Sequence, residues 1–281
     1  MTMSRTMRWG GLLLFGALAA VARPDAAPIA SPVGLRAAAH RHVPIIIRER
    51  RNSVTTSSNW SGYAVTGARN SVSDVKGSWI VPAVTCASTN QYASFWIGID
   101  GYNSNTVEQI GTDSDCRSGA PTNYAWYEFY PHWSYGITLN APILAGDTMS
   151  AEVKSTAGGV FTVSLTDITN GQSFSTSVKM NNAQRSSAEW IAEAPWSGGV
   201  LPLANFGTAE YGANYTGQPG TSRATVNGVT GSIGSFGSPT APSSPVQKIA
   251  MVTSGGAVKA QPSDLLDDGL SFTIQWLASG P

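Results

Sequence analysis

The sequence predicts an all-β fold, a sandwich of antiparallel sheets, over most of its 281 residues. Three observations predict it. From Asn59 onward, short runs rich in Val, Ile, Thr and aromatic residues alternate with clusters of Gly, Ser, Asn and Pro, the texture of strands and turns. Several runs alternate apolar and polar with period two, and no long window keeps the 3.6-residue period of an amphipathic helix. Ten such runs follow one another without a repeat or a composition break, which points to one sandwich or barrel.

The chain opens differently. Arg5 and Arg8 precede an apolar stretch from Gly10 to Ala20 that is too short to span a bilayer, and small residues follow. That is the pattern of a secretory signal, expected over residues 1–26. Residues 27–56 are rich in Ala, Pro, Arg and His and carry an apolar Val43–Ile47 patch followed by Arg48, Arg50 and Arg51. They read as a basic propeptide, the other reading being a disordered linker, with the main domain over 57–281. Eight of the 17 basic residues and two of the 17 acidic ones lie before residue 54, leaving nine against fifteen after it, a net of minus six. A cationic segment laid on an acidic domain is held partly by charge and weakens as carboxylates protonate.

Strands are expected at 78–81, 93–99, 124–130, 148–154, 161–167, 173–179, 189–192, 199–206, 247–252 and 271–277. Asn170-Gly171 predicts a tight hairpin between the fifth and sixth. Residues 119–122 and 231–244 read as loops, and 263–268 as briefly helical. In the 124–130 run, alternation sets Tyr124, Trp126, Glu128 and Tyr130 on one face and Ala125, Tyr127 and Phe129 on the other. A carboxylate among three rings suits a groove floor better than a core. Cys86 and Cys116 fit an oxidising compartment, and paired they close a loop worth roughly 3–4 kcal/mol.

Composition narrows the chemistry. Scattered single Lys and Arg residues argue against a nucleic-acid partner. His132 is the one histidine of the main domain, and no GxSxG, HExxH or paired CxxC pattern accompanies it, so neither a serine triad nor a zinc site is indicated. No glycine motif cradles a phosphate. No metal and no cofactor is called for. What remains is carboxylates in or beside strands: Asp100, Asp113, Glu128, Glu189 and Glu193. Carbohydrate chemistry on aromatic platforms and acid proteolysis both fit them. Only 24 charged residues follow residue 53, so acid has few native ion pairs to break.

Four motifs in order resemble the glutamic peptidases, or eqolisins: Phe95-Trp-Ile-Gly-Ile-Asp-Gly101, Glu108-Gln-Ile-Gly-Thr-Asp113, Ala125-Trp-Tyr-Glu-Phe-Tyr-Pro131 and Ala188-Glu-Trp-Ile-Ala-Glu193. Asn59-Trp-Ser-Gly-Tyr63 and the Phe272–Trp276 run add to the match, which spans Asn59 to Leu277. The resemblance implies a β-sandwich of two bent antiparallel sheets, like that of concanavalin-type lectins, with the active site on the concave face. It implies a secreted acid endopeptidase acting on polypeptides, made as a zymogen whose propeptide inhibits it, with no membrane association after signal removal; a monomer is expected. Mapped by motif, the catalytic dyad falls on Gln109 and Glu189. Trp96, Asp100, Asp113, Trp126, Glu128 and Tyr130 become supporting and substrate-groove residues. Val107-Glu108 departs from the apolar pair expected before Gln109. The second reading is a non-catalytic or carbohydrate-binding sandwich.

Overall fold

The computed structural model describes Met1 and residues 35–51, 54–156, 158–241 and 243–280. The expected signal segment from residue 2 on, and the first residues of the expected propeptide, lie outside the described residues. Among those described, no helix is long and apolar enough to cross a membrane.

Strands dominate. In chain order they are β1 (Leu35–Ala37), β2 (Ile47–Arg51), β3 (Val54–Ser57), β4 (Trp60–Thr66), β5 (Val72–Ile80), β6 (Ser94–Ile99), β7 (Val107–Arg117) and β8 (Ala120–Tyr130). There follow β9 (Ser134–Ile137), β10 (Thr148–Ser155), β11 (Val160–Asp167), β12 (Gln172–Lys179), β13 (Ser187–Glu193), β14 (Thr208–Tyr211), β15 (Arg223–Val226) and β16 (Val229–Ser232). β17 (Val246–Val252), β18 (Val258–Pro262) and β19 (Phe272–Trp276) close the list.

One sheet runs β1-β9-β8-β7-β6-β13-β4-β17-β3-β2, antiparallel except where β3 lies parallel to β17. The other sets β12-β11-β10 on one edge of β5, and β14 and β15 on its other edge. Pairing of β14 with β19, β19 with β18 and β18 with β17 joins the two sheets along one side. The core between them holds Tyr63, Trp79, Phe95, Ile97, Ile110, Tyr127, Phe161, Trp190 and Phe272 among others. Each such side chain contributes roughly 1.5–3 kcal/mol by leaving water.

The period-two faces expected from the sequence are the faces observed. Phe95, Ile97, Ile99, Ala125, Tyr127, Phe129 and Trp190 enter this core, whereas Trp96 and Trp126 lie in a second, smaller cluster on the opposite face of the same sheet, with Tyr124 and Tyr130 packed against it. Cys86 and Cys116 are disulfide-bonded, their Cα atoms 5.3 Å apart.

Four local expectations are corrected. Residues 199–206 form only isolated bridges at Val200, Leu203 and Asn205, since Pro202 has no N–H for a ladder. Residues 263–268 make no helix. There the Asp268 carboxylate accepts from Leu270 N, Ser271 N and the Ser271 hydroxyl, a local turn that competes with helical bonding. The 119–122 loop shrinks to Ser118-Gly119, both at positive φ, as a two-residue hairpin turn requires. The Asn170-Gly171 hairpin spans four residues, since Asp167 pairs with Gln172.

Candidate active site

On the face turned away from the core, antiparallel register lines side chains up in rows across neighbouring strands. One row reads Trp60, Glu193, Ser94, Asp113, Tyr124. The next reads Gly62, Ile191, Trp96, Gly111, Trp126, Gly136. The third reads Ala64, Glu189, Gly98, Gln109, Glu128, Ser134. Close packing forces the glycine at Gly111: a Cβ there would stand 2.4 Å from the Phe95 carbonyl oxygen and 2.5 Å from the Trp96 Cβ.

Residues 40–46 cross these rows as a strap, anchored by pairing of β1 with β9 before it and of β2 with β3 after it. His40 Nε2 donates to Asp113 Oδ2 at 2.6 Å. Arg41 donates through Nε and Nη2 to Glu128 Oε1, at 3.1 and 2.8 Å. The His42 backbone N–H donates to Glu128 Oε2 at 2.8 Å. Its imidazole stacks on Trp126, ring centroids 3.3 Å apart and planes 4° from parallel.

The next peptide unit is held at both ends. The His42 carbonyl accepts from Gln109 Nε2 at 2.7 Å, and the Val43 N–H donates to Glu193 Oε1 at 3.2 Å. Trp96 Nε1 donates to the other Glu193 oxygen at 2.9 Å. Beyond it, the Val43 carbonyl accepts from Trp60 Nε1 at 3.1 Å, and Asn59 Oδ1 accepts from Ile46 N at 2.8 Å.

The strap's cations set the electrostatics. Burial alone pushes the Asp113 carboxyl up, but His40 and His42 outweigh it and hold Asp113 well below the usual range. Burial lowers the His42 imidazole, yet Asp113, Glu128 and Glu193 push it up to about 10. Burial takes Glu193 up to about 8, with Glu128 adding to the rise and His42 opposing it.

Of the residues expected from the sequence, the strap brings together Gln109, Asp113, Trp96, Trp126, Glu128 and Tyr130, the last lying 4.9 Å beneath the Arg41 guanidinium. Asp100 is placed differently. Its carboxylate accepts from the backbone N–H groups of Gln184, Arg185 and Ser186, so it clamps the approach to β13 and lines no groove. Glu189 shares the row of Gln109 but is fully buried, and neither of its oxygens has a hydrogen-bond partner among the described residues. The Ser187 hydroxyl lies near without completing a bond, and burial, with Asp100 and Glu108 nearby, raises Glu189 well above the usual range. Glu108, on the core side, is raised well above it in the same way, by burial and Asp100.

Sequence reading weighed Glu193 but did not choose it. Glu189 and Glu193 stand four residues apart on the same strand face, so alternation alone cannot separate them. Ser94 and Ser134 carry no sequence signal, and for His40 and His42 the one signal is the density of Arg and His in the leading segment. His40, His42 and Asp113 offer ligand atoms within 4.8 Å of one another, a spacing open to a divalent cation, though here those atoms bond one another.

Comparisons with known proteins agree on one family. A model described as the Peptidase A4 family matches residues 58–236. Aspergillopepsin-2 of Aspergillus niger is 30% identical over 180 residues, 55% of this chain and 62% of that protein. The match thus spans less than two thirds of that relative's length. The structure of scytalido-glutamic peptidase with a transition state analog inhibitor superposes with a TM-score of 0.64 at 22% identity, covering 78% of this chain and 98% of that one. SCP-B, titled a member of the Eqolisin family in complex with the tripeptide Ala-Ile-His, gives 0.59 at 22% over the same shares. Aspergilloglutamic peptidase from Aspergillus niger gives 0.54 at 26%, over 66% of this chain and 99% of that one. At 22% identity the first two structures speak to the fold, a β-sandwich.

Proposed function

The chain belongs to the Peptidase A4 family, and from that premise we propose that it hydrolyses peptide bonds with Gln109 and Glu193 as the working pair. The observation that carries this is the His42–Val43 peptide unit, with its carbonyl on Gln109 and its N–H on Glu193. This backbone is the chain's own and stands in for a substrate's scissile bond. The reading moves the acid-base role expected at Glu189 four residues along the strand.

The chemistry follows from the contacts. In a cleft cleared of the strap, ionised Glu193 takes a proton from a water as its oxygen attacks the carbonyl carbon. Gln109 Nε2–H stabilises the developing oxyanion, a contact of a kind worth roughly 3–4 kcal/mol in hydrolases. Glu193 then passes its proton to the departing nitrogen. The Trp96 indole holds Glu193 in place through its second oxygen. A carboxyl and a neutral carboxamide work in acid, where a histidine base would be protonated.

The strap supports two further parts of the proposal. It occupies the peptide-binding face and takes up the hydrogen bonds of both Gln109 and Glu193, so it acts as an intramolecular inhibitor of a precursor. The leading apolar segment marks that precursor for export.

The test is digestion of a denatured protein at about pH 4, near the ordinary carboxyl range, by strap-free wild type, Glu193→Gln, Glu189→Gln and Gln109→Ala. Loss in Glu193→Gln with retention in Glu189→Gln is expected. Full activity in Glu193→Gln would sink the assignment.

A further inference from the structure

Resting on the peptidase reading, we infer that the cleft selects a histidine immediately before the cleaved bond, with an arginine before that. The pocket around His42 carries the inference. The imidazole lies flat on the Trp126 indole. Its Nε2 stands 3.0 Å from Ser94 Oγ and 3.3 Å from Asp113 Oδ1. Its Nδ1 stands 3.4 Å from Glu128 Oε2 and 3.4 Å from Ser134 Oγ. Both ring nitrogens therefore face carboxylate oxygens, and only the imidazolium offers a donor at each.

Other side chains fit less well. Phenylalanine supplies the flat ring and no donor, leaving the Asp113 and Glu128 oxygens that face the ring without its N–H groups. Lysine supplies charge at a single point and no ring to stack. Leucine supplies neither. The neighbouring position is as particular: the Arg41 fork reaches Glu128 and the Pro131 and His132 carbonyls, while its plane lies 4.9 Å over Tyr130 and 5.5 Å over Trp133.

These pockets belong to the sheet. Asp113 and Ser94 are cross-strand partners on β7 and β6, and Glu128 and Ser134 on β8 and β9. They persist when the strap departs, and a peptide bound in the same direction presents its own residue to each. In acid, histidine is always the cation, so the selected charge is present throughout the proposed working range.

The experiment uses acid-activated enzyme and quenched fluorogenic peptides built on the strap sequence, identical except for His, Phe or Leu at the position of His42. At about pH 4.5, kcat/KM for the His peptide is expected to exceed the Phe peptide by about tenfold or more, the scale of a charge-assisted hydrogen bond. Asp113→Asn should bring that ratio to within about twofold, read inside the variant so that a general loss cancels. Should the variant not fold, a peptide carrying Nε-methylhistidine removes the same donor from the substrate side and should lose the advantage in wild type. Equal cleavage of His and Phe peptides, or an undiminished advantage for methylhistidine, overturns the inference while the peptidase reading stands. Failure to cleave every peptide and also denatured protein overturns the peptidase reading itself.

Discussion

Two sets of fully buried carboxylates in one sheet contrast sharply. Asp113, Glu128 and Glu193 meet the strap, and each has a cation or an N–H on its oxygens. Glu108 and Glu189 are buried as deeply, with no hydrogen-bond partner among the described residues on any oxygen. Burial raises Asp113 as it raises Glu108, Glu189 and Glu193, and of these four only at Asp113 do the His40 and His42 cations outweigh it. Asp113 accordingly falls well below the ordinary range, while Glu108 and Glu189 rise well above it. The partnered set lies where the strap runs, and the unpartnered set is tolerable only as neutral acids, which suits the acid range proposed for this chain.

The sharpest way to break the contrast is to neutralise one acid of each set. Glu193→Gln should cost about 10³-fold in protein digestion, the span of a lost general acid-base, whereas Glu189→Gln should stay within about threefold of wild type. Comparable losses in both would erase the distinction. Gln109→Ala comes next, with about a hundredfold fall in kcat expected for one missing oxyanion donor. A rise in KM at unchanged kcat would mean that Gln109 only binds.

Arg41→Ala tests the strap. It leaves the Glu128 carboxylate buried without its guanidinium, so a synthetic 35–51 peptide with this change should inhibit at least about tenfold more weakly. Equal inhibition would show that the salt bridge is ornamental.

The pH dependence of strap release is gentler, and its sign is fixed by the shifts. Asp113 is depressed, so its contribution to docking is present above about pH 3.9 and is lost as pH falls through the lower docked value. His42 is raised, so its contribution is complete below about pH 6.5 and is lost as pH rises through about 10. Glu193, raised to about 8, penalises docking as pH climbs above its ordinary value. Docking should be tightest between about pH 4 and 4.5, weakening above it as free Glu193 ionises and below it as Asp113 protonates. Activation of the precursor that is fastest at pH 5 would contradict this.

The smallest effect concerns the unpartnered set. The unfolded chain loses the Glu108 proton near its ordinary pKa while the fold keeps it, so stability falls as pH rises past about 4.5. Glu108→Gln should therefore raise Tm at pH 7 by a few degrees, roughly 1–2 kcal/mol for a domain of this size, and change little at pH 4. An equal shift at both pH values would mean the side chain contributes packing alone.

Much of this was readable in the chain. Alternation in 124–130 and 93–99 assigned each ring to its face, because a strand's period of two is a local property of the backbone. Four ordered motifs carried the family, and with it the sandwich. The charge split at residue 53 set a basic segment against an acidic domain. Local pattern could not decide between Glu189 and Glu193, which share a face at a spacing of four. The proposal of Glu193 rests on tertiary structure, because it depends on which carboxylate a crossing backbone reaches, and that path is set by β1 pairing with β9 and β3 lying along β17. For the same reason the roles of His40, Arg41 and His42 emerge only in three dimensions. Charge composition foretells attraction, but a pocket is made by residues 50 to 150 positions away.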